Sequence, residues 1–208
     1  MQESHDTAQS YRAPTSTKRS RFSVQGSRFI ATLAPAADED AARKVIEKVS
    51  SEYPDATHHA YAYRIGSGST TIERASDSRE PAGTAGPPML QVLKGGNISD
   101  AVIIGTRYYG GTKLGIGGLT RAYRDCARKA LENASLKTKE PLVTFKLELS
   151  YEDLGVVSRL VDSLEGNVLT INYSDNVAIQ VTIPRREEEA FKSGFESACR
   201  GHGKLARL

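Results

Sequence analysis

The 208-residue sequence contains no tryptophan, only two cysteines and no long hydrophobic run. Two isolated thiols cannot build a disulfide framework or a zinc site, and Cys126 and Cys199 both fall on apolar faces of predicted helices. No apolar stretch approaches the ~20 residues of a membrane-spanning helix, and the polar, acidic start of the chain has no apolar stretch behind it. We therefore expect a cytoplasmic protein without a membrane partner.

Recognisable catalytic and metal-binding patterns are also missing. The sequence has no H-E-x-x-H motif and no paired metal-binding carboxylates. His58 and His59 are neighbours on a predicted strand, so they point to opposite faces and cannot share one metal ion. The glycine-rich stretch matches neither a P-loop nor a dinucleotide-binding fingerprint, because Lys113 follows Thr112 rather than a glycine and the third glycine of G-x-G-x-x-G is absent. We expect no metal and no cofactor, and a binding protein rather than an enzyme.

Positive and negative charges nearly balance over the whole chain, but they are unevenly distributed along the sequence. With 28 Lys and Arg against 25 Asp and Glu, the net charge of +3 is too small to establish a nucleic-acid partner. Residues 101–130 carry six basic residues and one acidic residue, a net charge of +5. The basic residues are Arg107, Lys113, Arg121, Arg124, Arg128 and Lys129. Such clustering is typical either of a solvated helix face or of a surface for an anionic partner.

The basic window contains a glycine-rich turn between a strand and a helix. Ala101–Ile104 reads as a buried strand, and residues 119–133 have apolar positions at helical spacing. Glycine lets backbone N–H groups face a ligand, and a helix N-terminus adds unpaired N–H groups and partial positive charge. This predicts a cradle for an anion or a nucleic-acid phosphate. The candidate residues are Arg107, Gly110, Gly111, Thr112, Lys113, Gly117, Gly118, Arg121, Arg124 and Arg128.

A second segment, residues 76–90, is polar and then rich in Gly and Pro. Its fixed and permissive dihedrals indicate a specific shape, which could serve the fold or a ligand. Thr84 is a candidate cap for a short helix starting at Pro87 or Pro88. Asp77 and Glu80 could meet an anion-bound Mg²⁺, although two acids in a loop are more commonly plain loop residues. We group His58, Asp77, Glu80 and Thr84 as residues flanking the cradle.

The chain divides by composition. Residues 1–17 lack periodicity and predict a flexible arm. Residues 18–136 form the first predicted domain, and residues 133–141 give the best boundary. Residues 141–208 restart the pattern as strand, helix, strand, strand, helix and a last short strand, a split β-α-β or ferredoxin-like module.

Two blocks resemble the IMPACT family in its bacterial YigZ-like form. They are E-P-A-G-T-A-G at residues 80–86, followed by Met89 and Leu90, and T-R-Y-Y-G-G-T-K-L-G at residues 106–115; the resemblance covers about residues 18–133. It implies an α+β protein of two domains. The first would be a β-α domain shared by a ribosomal-protein domain, elongation factor G and some small-molecule kinases, and the second would resemble an elongation-factor domain. The sequence departs from the family at Ser78-Arg79, where an acidic residue and glycine are usual, and at Ala82, where serine is common.

The same resemblance implies a role in translation. Eukaryotic relatives compete for a protein that activates a stress kinase, using an additional N-terminal domain for which this sequence leaves no room. YigZ-like members point to nucleic-acid or ribosome binding. We therefore expect a translation-linked regulatory protein that contacts RNA or the ribosome through the basic glycine-rich loop. The alternatives are an enzyme that binds a nucleotide or phosphate ester in that loop, and an adaptor for a protein partner in translation control.

Overall fold

The structure is a computed structural model that describes residues 10–68 and 71–208. The chain divides into two compact units, Met1–Lys139 and Glu140–Leu208. Eleven strands and five α-helices are described in those residues. In the first unit they are β1 (Tyr11–Pro14), β2 (Lys18–Val24), β3 (Ser27–Pro35), α1 (Glu39–Glu52), β4 (His58–Ile65), β5 (Ile72–Ser76), α2 (Gly86–Gly95), β6 (Ala101–Tyr108), α3 (Gly115–Glu132) and β7 (Leu136–Lys139). In the second they are β8 (Leu142–Leu149), α4 (Leu154–Ser163), β9 (Asn167–Tyr173), β10 (Val177–Pro184), α5 (Glu188–Ala198) and β11 (Lys204–Arg207).

The first unit is built on a five-stranded antiparallel sheet with the order β2-β3-β6-β4-β5. Helices α2 and α3 cover one face, and α1 packs on the other. Central strand β6 is buried on both faces, which explains why its sequence is nearly continuously apolar instead of alternating. The sheet therefore places odd-numbered residues of β6 under α2 and α3.

Two helices of this unit test the sequence-based expectations. The predicted cap of α1 is confirmed, because the Asp38 carboxylate accepts a 2.7 Å hydrogen bond from the N–H of Ala41. The predicted apolar face of α3 is also confirmed, with Leu119, Ala122, Tyr123, Cys126, Ala127 and Ala130 all buried. The start of α3 differs: the helix begins at Gly115, not Leu119. Gly117 and Gly118 therefore belong to its first turn, not to the loop.

The structure corrects part of the flexible arm that was expected over residues 1–17, namely residues 11–14. Tyr11–Pro14 is a strand that pairs antiparallel with Leu136–Lys139. The Tyr11 hydroxyl donates a 2.7 Å hydrogen bond to Asp100, which also pairs with Lys139. A four-residue strand shows too little alternation to be found by periodicity, and its partner lies over a hundred residues away. Residues 1–9 of the predicted arm lie outside the described residues.

The second unit has the predicted split β-α-β order. Its antiparallel sheet has the order β11-β8-β10-β9. Alternate residues of β8 and β10 are buried with α4 and α5 around Phe145, Phe191 and Phe195. The α+β fold class with two domains is thus confirmed. In the part of the chain that the structure describes, no helix has both the length and the apolar character needed to span a bilayer.

Candidate functional site

A row of side chains crosses the first sheet on the face covered by α2 and α3. Phe22, Phe29, Arg107 and His58 are register partners on β2, β3, β6 and β4. The Phe22 and Phe29 rings stack with centroids 5.1 Å apart, and the Arg107 guanidinium carbon lies 5.6 Å from the Phe29 centroid. The row therefore places the Arg107 cation next to the stacked rings of Phe22 and Phe29, and Arg107 comes shortly before the glycine-rich loop in the sequence.

The charge of Arg107 is balanced inside the protein. Its Nη1 donates to both carboxylate oxygens of Glu80, at 2.8 and 3.0 Å, and its Nη2 donates to Ser27 Oγ at 3.1 Å. The Tyr123 hydroxyl donates to the same carboxylate at 2.7 Å. Burial, and then the charge of Glu80, raise the pKa of Tyr123 far above its ordinary value, so the phenol stays protonated.

This pairing corrects the prediction that Arg107 grips a ligand directly. Arg107 is only 4% exposed, and the Glu80 side chain is 3% exposed. Both groups are committed to each other, since an unpaired charge at this depth would be strongly unfavourable. His58 lies at the edge of the pair, with Nε2 3.8 Å from Glu80 and Nδ1 2.9 Å from the carbonyl oxygen of Ser78.

The Gly- and Pro-rich segment 76–90 is held by Asp77. Its carboxylate accepts hydrogen bonds from the N–H groups of Gly83, Ala85 and Gly86, at 2.8, 2.8 and 2.9 Å. Asp77 thereby caps α2, and the predicted cap by Thr84 is wrong: the Thr84 hydroxyl donates to the carbonyl of Pro81 at 2.6 Å. Among the described residues, no group of three or more His, Cys, Asp or Glu side chains is placed to hold a metal.

The first half of the glycine-rich loop is anchored to the sheet. The N–H of Gly110 donates to Ser27 Oγ at 3.3 Å, and the N–H of Tyr109 donates to Thr57 Oγ1 at 3.0 Å. A Cβ built on Gly110 would lie 2.0 Å from the carbonyl carbon of Gly26, so only glycine fits there. Gly110 therefore serves the fold, and its amide is already engaged.

The second half of the loop and the start of α3 are open. Gly111, Thr112, Lys113, Gly115, Ile116 and Gly117 are exposed. The N-cap residue of α3 is Leu114, whose apolar side chain makes no capping hydrogen bond. A Cβ built on Gly117 would lie 3.5 Å from Nη1 of Arg121, which puts the guanidinium of Arg121 over the first helical turn.

The remaining predicted arginines continue from this point along one side of α3. Arg121, Arg124 and Arg128 are exposed, at positions i, i+3 and i+7. Arg128 lies 3.9 Å from Asp125, a separation at which a surface pair contributes little. The fold thus gathers Lys113, Gly117 and the three arginines on the outside, and it separates them from Arg107, Glu80, Asp77 and Thr84.

Sequence reasoning missed three residues that shape this region. Ser27 bonds both Arg107 and Gly110, Tyr123 bonds Glu80, and Tyr109 covers the guanidinium of Arg107 with its ring. Tyr123 carried no polar signal, because it lies on the apolar face of α3. Tyr109 lies within the quoted T-R-Y-Y-G-G block, which was the available signal for it.

Comparison with known proteins covers both units. A family model described as the Impact N-terminal domain matches residues 25–131, and one described as a domain of unknown function (DUF1949) matches residues 147–202. The chain is 33% identical over 186 residues to "IMPACT family member YigZ" of Escherichia coli (strain K12), covering 89% of this chain and 91% of that protein. It is 33% identical over 178 residues to "IMPACT family member YvyE" of Bacillus subtilis (strain 168), covering 86% and 82%. A solved structure described as "Crystal structure of an hypothetical protein" matches with a TM-score of 0.73 and 32% identity, covering 96% and 97%.

Proposed function

Since the chain belongs to the IMPACT family, we propose that it is a regulatory protein of translation that binds RNA, free or in the ribosome. The proposed contact is the open first turn of α3 with its arginine stripe, defined here as Arg121, Arg124 and Arg128. The translational setting rests on the family resemblance of the two sequence blocks. We place this activity in the cytoplasm.

One observation carries the proposal: Nη1 of Arg121 lies 3.5 Å from the Cβ position of Gly117, beside the exposed first turn of α3. The first N–H groups of a helix have no partner within the helix, and the helix dipole adds partial positive charge there. A guanidinium above the same turn adds donors suited to a phosphate. Gly117 and Gly111 leave room for the approach, since a Cβ at Gly111 would meet nothing within 4 Å.

The arginine stripe extends the contact beyond one phosphate. A rise of 1.5 Å per residue places Arg121 and Arg128 about 10 Å apart along the helix axis. Lys113, exposed in the loop two residues before α3 begins, adds a further point charge. A polyanion can engage several of these cations together, whereas a single small anion cannot.

The experiment compares binding of a fluorescently labelled single-stranded oligoribonucleotide by fluorescence anisotropy at several salt concentrations. Arg121→Ala with Arg124→Ala removes two cations from the stripe. Because each phosphate contact contributes a slope of about −0.7 to the salt dependence for single strands, the slope should become shallower by about 1.4. Affinity at low salt should fall with it.

A matched control removes the same charge from another helix of the same unit. Lys44 and Lys48 are exposed on α1, which packs on the opposite face of the sheet. Lys44→Ala with Lys48→Ala changes the net charge by the same amount. Because these lysines lie away from the arginine stripe, this variant should keep most of the RNA affinity and of the salt slope. Equal losses in the two double variants, or no loss in the stripe variant, would contradict the proposed site.

The unobstructed first turn also suits a second candidate, an enzyme that binds the phosphate of a nucleotide or phosphate ester. The observation in its favour is the Arg121 guanidinium beside Gly117 in the exposed first turn, next to open space at Gly111 and Gly115. Titration calorimetry with nucleoside triphosphates and Mg²⁺ tests it: heat that disappears in Arg121→Ala supports the nucleotide, and no heat with any triphosphate excludes it.

A further inference from the structure

We propose that Tyr109 is a stacking platform for one unpaired base, so that the RNA bound at the loop is single-stranded there. This inference rests on the proposed function and specifies its ligand class. It starts from an exposed aromatic side chain that the hydrophobic core does not use. Tyr109 is 45% exposed, although it follows directly on the buried strand β6.

Tyr109 is held in place through its ring and through its backbone. Its hydroxyl donates a 2.7 Å hydrogen bond to the carbonyl oxygen of Gly111, and its backbone N–H donates to Thr57 Oγ1. An exposed side chain normally samples several rotamers, and fixing one opposes its conformational entropy. The hydroxyl bond therefore orients the ring before any ligand arrives, and the backbone bond fixes the main chain that carries it.

One face of the ring is occupied by a cation. The Arg107 guanidinium carbon lies 5.5 Å from the Tyr109 ring centroid, and the same guanidinium lies over Phe29. Arg107 is fixed in turn by Glu80 and Ser27. Because Arg107 lies over one face of the ring and Tyr109 is 45% exposed, we assign the exposed surface to the opposite ring face, at the end of the aromatic and cationic row.

A nucleobase is the group that fits such a face beside a phosphate site. Bases have flat π-surfaces that stack on Tyr, and proteins that bind single strands combine such platforms with a basic track for the backbone. In a duplex the base faces are buried in the helical stack, so only an unpaired base reaches the ring. Lys113 and the arginine stripe follow Tyr109 in the chain and supply the basic track.

The test compares an oligouridylate with an abasic strand of the same length and the same number of phosphates. Wild-type protein should bind the base-bearing strand about 5- to 150-fold more tightly, the range expected for one stacked base. Tyr109→Ala should remove that preference and leave affinity for the abasic strand unchanged. Ile116→Ala, which removes an exposed apolar side chain without a π-face from the same segment, should keep the preference.

The absence of tryptophan from the sequence provides a direct spectroscopic readout. Tyr109→Trp retains an aromatic platform and introduces the sole tryptophan of the chain. Its fluorescence should be quenched by the base-bearing strand and should change little with the abasic strand. A Tyr109→Trp protein that binds both strands without base-dependent quenching would overturn the inference.

Failure of the inference and failure of the proposed function give different results. Equal wild-type affinity for the two strands, with a salt slope that still depends on Arg121 and Arg124, retains RNA binding and rejects the platform. Parallel losses for both strands in Tyr109→Ala also reject the platform, because Tyr109 would then only support the loop. If neither strand binds, RNA binding itself is rejected, and the platform with it.

Discussion

Arg107 and Glu80, 27 residues apart in sequence, form a buried ion pair in which Nη1 donates to both carboxylate oxygens, at 2.8 and 3.0 Å. The pair joins the end of β6 to the Gly- and Pro-rich segment before α2. The hydroxyl of Tyr123, on α3, donates a further hydrogen bond to the Glu80 carboxylate. The pair thus links the two sequence blocks, residues 80–86 and 106–115, and it places the Arg107 guanidinium carbon 5.5 Å from the centroid of the Tyr109 ring.

Removing one partner of this pair should be strongly destabilising. Glu80→Ala leaves the Arg107 cation buried and uncompensated, so we expect the free energy of unfolding of the first unit to fall by about 3–5 kcal/mol. Urea denaturation followed by circular dichroism measures the change. Glu148→Ala is the control: its pair with Lys204 is solvent-exposed, and the expected change is under about 1 kcal/mol.

A double variant separates the charge from the packing. Replacing Glu80 by Leu and Arg107 by Met leaves no unpaired charge, so the double loss should be smaller than the sum of the two single losses by about 1–3 kcal/mol. Strict additivity would show that Glu80 and Arg107 contribute independently.

His59 should make stability fall on mild acidification. Burial lowers its pKa below the ordinary value and outweighs the hydrogen bond to the Tyr53 carbonyl, which favours the protonated ring. Because the unfolded state then binds the proton more tightly, the stabilisation is complete above about pH 6.5 and is lost as pH falls through the folded-state pKa. Unfolding measured between pH 7.5 and about 5 should show this loss.

The variant for this test is His59→Gln, in which the pH dependence over that range should flatten. His202→Gln removes an exposed imidazole from the second unit and should leave the curve of the first unit unchanged. A His59→Gln protein with the wild-type pH profile would refute the assignment.

The parts of this fold that sequence predicts are those whose signal is local and repeated. The apolar face of α3 repeats over four turns, and Asp38 is a typical N-cap residue at the start of α1, so both helices were predictable. The pairing of Tyr11–Pro14 with Leu136–Lys139 joins two four-residue strands, too short for an alternating pattern to stand out. The capping of α2 by Asp77 spans eight and nine residues, beyond the spacing of ordinary capping motifs.

The same distinction between local and non-local signals applies to the residues of the candidate site. The exposed stripe of Arg121, Arg124 and Arg128 follows from helical spacing alone. The burial of Arg107 does not, because a cation at a strand end reads as exposed unless its distant carboxylate partner is known. Charge in a sequence indicates where cations lie along the chain, whereas their availability to a ligand depends on non-local pairing.

Replacing Arg79 by glycine should stabilise the first unit. The residue has φ of +68°, in the left-handed region that favours glycine. A side chain in that conformation is unfavourable by about 1 kcal/mol relative to glycine. Arg79→Gly should therefore raise the melting temperature of the first unit by a few degrees.

Arg79→Ala provides the comparison, because this variant removes the arginine side chain beyond the Cβ, whereas Arg79→Gly removes the Cβ as well. It should give no stabilisation. If alanine and glycine stabilise equally, the arginine side chain and not the backbone conformation is responsible, and the argument from φ is wrong.

Two glycines of the same loop and helix should respond oppositely to alanine. A Cβ on Gly110 would lie 2.0 and 2.1 Å from the carbonyl carbon and oxygen of Gly26, whereas a Cβ on Gly117 meets only the end of Arg121, at 3.5 Å. Gly110→Ala must therefore displace the loop from the β2–β3 turn, and we expect a loss of about 2 kcal/mol or more. Gly117→Ala should be neutral or stabilising by up to about 1 kcal/mol, since alanine favours the helix. Thermal unfolding of the two variants measures the difference, and equal destabilisation would show that the first turn of α3 is packed as tightly as the anchored half of the loop.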